Sequence, residues 1–276
     1  MPRSTESFTS PISTLRRAAA EHLPLPALDA ESYATGHAAF EARSDQRDML
    51  TAWLRTRLRP REGGPVRVLS VGCGDGSVDV VVAAGLAAAG GAVAYDGVEP
   101  FSGSATAWAA RLGEVEGALS NVQQVAFADH AAPDEAYDVV VFVHSLYYVP
   151  DVEAALRQAV TLLAPGGELI VLHAPRAELN AVVDVLAPST GGHPQWFSDR
   201  VTGALRALGL PSGSERLHAR LDLTGADTDV LDFTVQAFLP PALRGPVREH
   251  LAAVALPGPG VVVAHPIDAF TVRLPG

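Results

Sequence analysis

Several residues have the types and spacing that chemistry requires. Gly72, Gly74 and Gly76 stand at alternate positions directly after the apolar run Val66-Arg67-Val68-Leu69-Ser70-Val71. Glycines so spaced let a backbone turn tightly and come within contact distance of a ligand, and a strand that feeds them makes a nucleotide-binding loop. Cys73 lies inside that loop. Glu99 and Pro100 close a second apolar run, with Glu99 23 residues after Gly76. A carboxylate at that place accepts paired hydrogen bonds from a ribose diol. His144 follows Val143 at the end of a third run, Tyr137 to Val143, at the edge where open α/β sheets bind ligands. An imidazole there serves as general base for an acidic hydroxyl or orients an acceptor atom. Tyr147, Tyr148 and His173 are the nearest further candidates, and Trp196, Phe197, Phe233 and His265 are candidates for a lid.

Composition removes other chemistries. All 20 basic residues are arginine, so Schiff-base chemistry, pyridoxal phosphate anchoring and the P-loop lysine have no residue to carry them. A net charge of −11 opposes a polyanionic partner, because nucleic-acid binding draws on cations at phosphates. No nucleic acid is expected. The nine histidines include no H-x-x-x-H or H-E-x-x-H pair, and no G-x-S-x-G elbow is present, so neither a metal nor a Ser-His-Asp hydrolase is expected. One cysteine cannot form an internal disulfide, and the longest apolar runs fall short of a membrane span. A cytoplasmic location, no membrane contact, and a monomer or homodimer are the expectations.

These residues need a scaffold of alternating strands and helices. Prolines at 2, 11, 24 and 26 predict an extended arm over residues 1–29, with room for a short helix near 13–22. Helical periodicity runs over 35–58 and is closed by Pro60 and Gly63-Gly64-Pro65. The first strand then enters the glycine loop, and Ser77 is placed to cap a helix reaching about residue 89. Strands are predicted over 92–98, 122–127 (ending at Asp129), 137–143 and 168–173, with helices over 104–112 and 151–163 between them. Beyond residue 176 the pattern gives helices over 176–186, 199–208 and 229–239, a loop over 188–194, and strands over 215–223 and 269–274. Such alternation predicts a doubly wound parallel sheet with crossover helices. The expected organisation is an arm and lid helix over residues 1–60 and a cofactor-binding domain over 61–276, with substrate-covering elements at about 176–265.

The glycines read G-x-G-x-G followed by Ser77, and this spacing tilts away from the dinucleotide fingerprint G-x-G-x-x-G. The stretches VLSVGCGDG, GVEP, AFADH, YDVVVFVH and LLAPGGELIVLH, in that order between Val66 and His173, resemble the successive motifs of class I S-adenosylmethionine-dependent methyltransferases. The resemblance implies a Rossmann-like seven-stranded sheet with an antiparallel last hairpin and S-adenosylmethionine as cofactor, S-adenosylhomocysteine being its product. It implies cofactor contacts at Gly72, Cys73, Gly74, Gly76, Glu99, Pro100, Asp129, His130, Val143 and His144. VLSVGCGDG with VEP, HSLYYVPDVEAALR, LDFTVQAF and VAHPIDAFTV are similar to the histamine N-methyltransferase-like branch, from about Tyr33 onward. That branch adds Ser104 to the cofactor contacts, and the candidate substrate-binding residues are Tyr33, His37, Tyr147, Tyr148, His173, Trp196, Phe233 and His265. The sequence departs from it at Thr35, where the branch carries an acid for the amine, and at Leu179 and Val183, where it carries tryptophans. The expected reaction is methyl transfer to a small molecule of bacterial secondary metabolism, at an amine nitrogen. Alternatives are O-methylation with His144 as base, a cyclase that uses the cofactor only for its charge, or a non-catalytic partner.

Overall fold

The structure, a computed structural model, describes residues 10–61, 63–132, 135–177, 179–186, 189–190 and 192–276. In chain order the helices are α1 (Pro11–Ala19), α2 (Ala30–Glu41), α3 (Gln46–Arg57), α4 (Asp79–Ala88), α5 (Ser102–Gly113), α6 (Val152–Thr161), α7 (Asn180–Leu186), α8 (Ser198–Ala207), α9 (Thr228–Val235) and α10 (Pro241–Ala253). The strands are β1 (Val66–Val71), β2 (Val93–Val98), β3 (Ala118–Gln123), β4 (Tyr137–Val143), β5 (Leu163–His173), the two-residue β6 (Ser189–Thr190) and β7 (His193–Pro194), then β8 (Gly213–Leu217), β9 (Arg220–Asp222), β10 (Val262–Ala264) and β11 (Ile267–Arg273).

The chain divides into two compact units, each built from separated segments. One comprises Gln46–Pro175, Trp196–His218 and Pro266–Gly276. Its seven-stranded sheet runs β3-β2-β1-β4-β5-β11-β8, parallel from β3 to β5. β11 is antiparallel to both of its neighbours. Both faces are covered, as apolar residues on successive positions require. Val68, Val139, Val141, Ile170 and Leu172 pack with Leu54 of α3, Val82 and Leu86 of α4 and Trp108 of α5. Residues one position along, Leu69, Val140, Phe142, Leu169 and Val171, pack with Leu156 of α6 and Val201 and Leu205 of α8. This is the Rossmann-like methyltransferase sheet that the motif series implies.

The second unit comprises Met1–Asp45, Arg176–Gln195 and Ala219–His265. Its core joins Leu15 of α1, Phe40 of α2, Val182 and Leu186 of α7, Val230 and Phe233 of α9, and Leu243, Val247 and Leu251 of α10. Asp29 caps α2 by accepting from Ser32 N–H at 2.8 Å, and Asp227 caps α9 by accepting from Val230 N–H at 3.0 Å. β9 and β10 pair antiparallel.

Several boundaries differ from the sequence reading. The helix expected over 35–58 is two helices, because the chain leaves helical geometry before Asp45, whose carboxylate accepts Arg220 N–H at 2.6 Å. Ser77 caps nothing; its own N–H is donated to Asp75 Oδ1 at 3.1 Å, and α4 begins two residues later. The third strand lies at Ala118–Gln123, not 122–127, and Phe127–Asp129 is a 3-10 turn. As an edge strand with Leu119 74 % exposed, it carries little apolar signal. The strand expected over 215–223 is two strands, β8 in the large sheet and β9 in the pair with β10. The helix expected from 176 begins at Asn180. No element was expected where α10 lies; it carries Pro246 in its interior, and Leu243, Val247 and Leu251 keep one buried helical stripe.

Candidate active site

The glycine loop is held from below by a buried carboxyl. Asp79, in the first turn of α4, accepts from Ser70 Oγ of β1 at 3.1 Å, Tyr95 Oη of β2 at 3.1 Å and Trp108 Nε1 of α5 at 2.7 Å. One side chain thereby ties two strands and two helices together beneath the loop. Burial pushes the Asp79 carboxyl up to about 6, against those three hydrogen bonds, which pull it down. Loss of any one donor costs about 1–3 kcal/mol, the cost of leaving a buried polar group short of a partner.

The loop above this knot admits only glycine at two of its positions. Gly72 has φ of +63°, and a Cβ there would lie 2.4 Å from Ser145 Cβ. Gly76 has φ of +78°, and its Cβ would lie 2.9 Å from Trp108 Cδ1. The loop therefore lies directly against α5 and against the segment that follows β4. Glu99, only 5 % exposed, is fixed at the carboxyl end of β2. Its Oε2 accepts Gly74 N–H at 2.9 Å and its Oε1 accepts Phe101 N–H at 3.0 Å. Each oxygen keeps lone-pair capacity for a diol, so the donor set suits a ribose. Burial, with Asp79 and Glu99 nearby, pushes the Cys73 thiol up, which keeps it protonated and a poor nucleophile at neutral pH. Among the described residues no cluster of ligating side chains could hold a metal.

Other predicted cofactor residues lie at the start of α5, around the turn after β3 and at the end of β4. Ser104 is in the first turn of α5 and is half-buried, and Pro100 is exposed. Asp129 is exposed in the turn after β3. His130 is buried, with its ring 6.2 Å from that of Phe127 and 6.5 Å from that of Tyr137, the first residue of β4. Burial lowers its pKa. Val143 is the last residue of β4 and half-buried.

His144 has φ of +51°, a left-handed conformation that costs a non-glycine residue about 1–3 kcal/mol. Its side chain is held on both sides. Nδ1 lies 3.0 Å from Tyr147 Oη and Nε2 lies 2.9 Å from Gln46 Oε1. Tyr147 Oη also accepts Ala174 N–H at 3.1 Å. The Tyr147 ring lies 5.8 Å from that of His144 and 4.2 Å from that of His173. Tyr148, exposed, meets Tyr147 edge-on at 6.4 Å. Trp196 joins the group through its carbonyl, 3.1 Å from His173 Nε2, and its own Nε1 donates to Val149 O at 2.9 Å. Five predicted residues are thus brought together, at the end of the strand next to the one that carries the glycine loop.

The remaining predicted substrate residues gather in the second unit. Phe233 of α9 lies 5.3 Å from the rings of both Tyr33 and His37 and 5.1 Å from Phe40 of α2. His265 meets Phe40 edge-on at 5.3 Å and bonds Ser44 Oγ through Nδ1 at 3.0 Å. Gly36 permits this packing, since a Cβ there would lie 2.8 Å from Phe233 Cβ.

Sequence reading missed Gln46 and Ser145. Gln46 is 98 positions from His144 and carries no motif. Ser145 is buried against Gly72, and its Oγ has no hydrogen-bond partner among the described residues.

His173 is fully buried, and desolvation, with His144 nearby, lowers its pKa to about 3. The native state therefore holds it neutral while the unfolded chain takes up a proton near pH 6.5. Its contribution is complete above that pH and is lost as pH falls toward 3. Between pH 7 and pH 5 the residue alone should lower unfolding free energy by about 2 kcal/mol. Urea titration of His173→Phe beside the wild type checks this; equal pH slopes would refute it.

Comparison with known proteins agrees with this fold. A family model described as a methyltransferase domain matches residues 42–210. The nocamycin O-methyltransferase of Saccharothrix syringae is 32 % identical over 197 residues, covering 62 % of this chain and 68 % of that protein. The YcgJ protein of Bacillus subtilis aligns with a TM-score of 0.58 at 15 % identity, over 83 % of this chain and 99 % of that one. The plantazolicin methyltransferase BpumL in complex with SAH aligns at 0.52 and 12 % identity, over 95 % of each chain. The fold and the glycine cradle define an S-adenosylmethionine-dependent methyltransferase. The chain belongs to the methyltransferase-domain family. No finding places it in the histamine N-methyltransferase-like branch. No described helix is long and apolar enough to cross a membrane.

Proposed function

We propose that the protein methylates a hydroxyl oxygen of a small molecule, with His144 as the group that takes up the acceptor's proton. The observation that carries this reading is the imidazole set between a tyrosine hydroxyl and an amide oxygen at the end of β4. S-adenosylmethionine supplies, when bound, a methyl group on a sulfonium whose sulfur keeps the electrons of the broken C–S bond. Glu99, Ser145 and the Gly72–Gly76 loop hold and orient it, and Ser104, Asp129 and His130 are further candidate contacts. The protein's own task is then alignment, exclusion of water and removal of one proton. A neutral amine, the acceptor that the sequence resemblance favours, asks for alignment alone, and Thr35 leaves it without a carboxylate. The 32 %-identical relative being an O-methyltransferase supports oxygen as well.

The test is incubation with methyl-labelled cofactor and a panel of phenols, alcohols and amines, with products resolved by mass spectrometry. Label on a hydroxyl oxygen is expected. Label confined to amines would move the assignment to nitrogen. Cofactor binding in calorimetry with no transfer to any acceptor would favour the cyclase or partner role.

A further inference from the structure

We propose that Gln46 and Tyr147 complete a proton relay with His144, in which Gln46 Oε1 fixes the imidazole with its proton on Nε2 and Tyr147 Oη carries the acceptor's proton to Nδ1. The proposal rests on the O-methylation reading and deepens it. An amide oxygen only accepts, so Nε2, 2.9 Å from Gln46 Oε1, must be the N–H nitrogen. The basic lone pair is thereby assigned to Nδ1, and Tyr147 Oη, 3.0 Å away, donates to it. Ala174 N–H, donating to the same Oη at 3.1 Å, polarises the hydroxyl and makes it a better donor.

Gln46 is suited to hold one orientation. It is 4 % exposed, at the first position of α3, so its amide cannot swing through solvent. Among the described residues of this unit, Tyr147 and His173 are titratable groups beside the imidazole. His173 stays neutral through the acid range, so it adds no positive charge beside an imidazolium. The left-handed backbone at His144 is the strain accepted to keep the ring between its two partners.

The step balances as follows in atoms and charge. The acceptor oxygen keeps the electron pair of its O–H bond for the new bond to carbon, and its proton passes to Tyr147 Oη. The proton already on Oη passes to His144 Nδ1. The resulting imidazolium has both N–H groups satisfied, one by Oη and one by Gln46 Oε1, and later releases its proton to water. Gln46 touches no reacting atom and is a positioning residue.

The test has a spectroscopic arm that needs no acceptor. In protein labelled with ¹⁵N-histidine, the neutral His144 of the wild type should carry its proton on Nε2. Gln46→Leu should lose that preference and show both tautomers, whereas Tyr147→Phe should retain it. A proton on Nδ1 in the wild type, or an unchanged tautomer in Gln46→Leu, would overturn the relay. The kinetic arm uses phenol and 4-nitrophenol, the latter ionised at mildly alkaline pH and needing no base. Tyr147→Phe should slow phenol methylation by about 100-fold and 4-nitrophenol methylation by less than about 10-fold. Equal slowing of both would overturn the relay and leave O-methylation standing. A wild type that methylates amines and no hydroxyl overturns the O-methylation reading and the relay with it, and that failure is visible before any variant is made.

Discussion

Glu99→Gln should weaken S-adenosylmethionine binding by about 100-fold while leaving the protein folded. A buried carboxylate that accepts from a diol forms charge-assisted bonds, each worth about 1.5–3 kcal/mol, and the amide keeps only one accepting oxygen. Glutamine is the milder replacement because Glu99 also accepts the backbone N–H groups of Gly74 and Phe101, one on each oxygen, and the amide oxygen keeps one of the two. Alanine would remove both supports and confuse loss of binding with loss of the loop. Calorimetry with the cofactor and with S-adenosylhomocysteine measures the change, beside a thermal melt that reads folding. Near-normal affinity in Glu99→Gln would end the assignment of this carboxylate to the ribose.

His144→Ala should lower kcat by about 100- to 10,000-fold on the best hydroxyl acceptor, the span that a positioned general base supplies. Cofactor affinity should change little, since the ring is held by Gln46 and Tyr147 and not by the glycine loop. A loss in kcat with KM preserved marks a group that acts in the transition state. Unchanged turnover would remove His144 from the mechanism.

The sheet and its loop were legible because their signals are local. β1 and β4 are short runs of valine and leucine buried on both faces, and their bounds were read to the residue. Glu99 follows from its place after β2. The partner of Ser70 was hidden, since Asp79 also meets Tyr95 and Trp108 from elements that are distant in sequence. Gln46 was hidden for the same reason. His130 was read as a cofactor contact, and its ring lies 6.2 Å from that of Phe127 and 6.5 Å from that of Tyr137. No element was read at α10, where the cost of Pro246 is outweighed by a stripe of three buried side chains. The units themselves were beyond reach, because each is assembled from three stretches of chain and no composition shift marks their exchange.

β11 is an interior strand, seated between β5 and β8, yet it is synthesised after every other strand of the sheet. Until residues 267–273 leave the ribosome, β8 has no hydrogen-bonding neighbour and the far edge of β5 stands open. The nascent protein can assemble the cofactor cradle on β1, β2 and β4 long before that moment. It then carries two exposed strand edges, the surfaces through which incomplete sheets add foreign strands. Closure waits on a last strand whose Ala269, Phe270 and Val272 fill both faces of the core at once. Cotranslational vulnerability to aggregation is thus concentrated at the end of the sheet opposite β3.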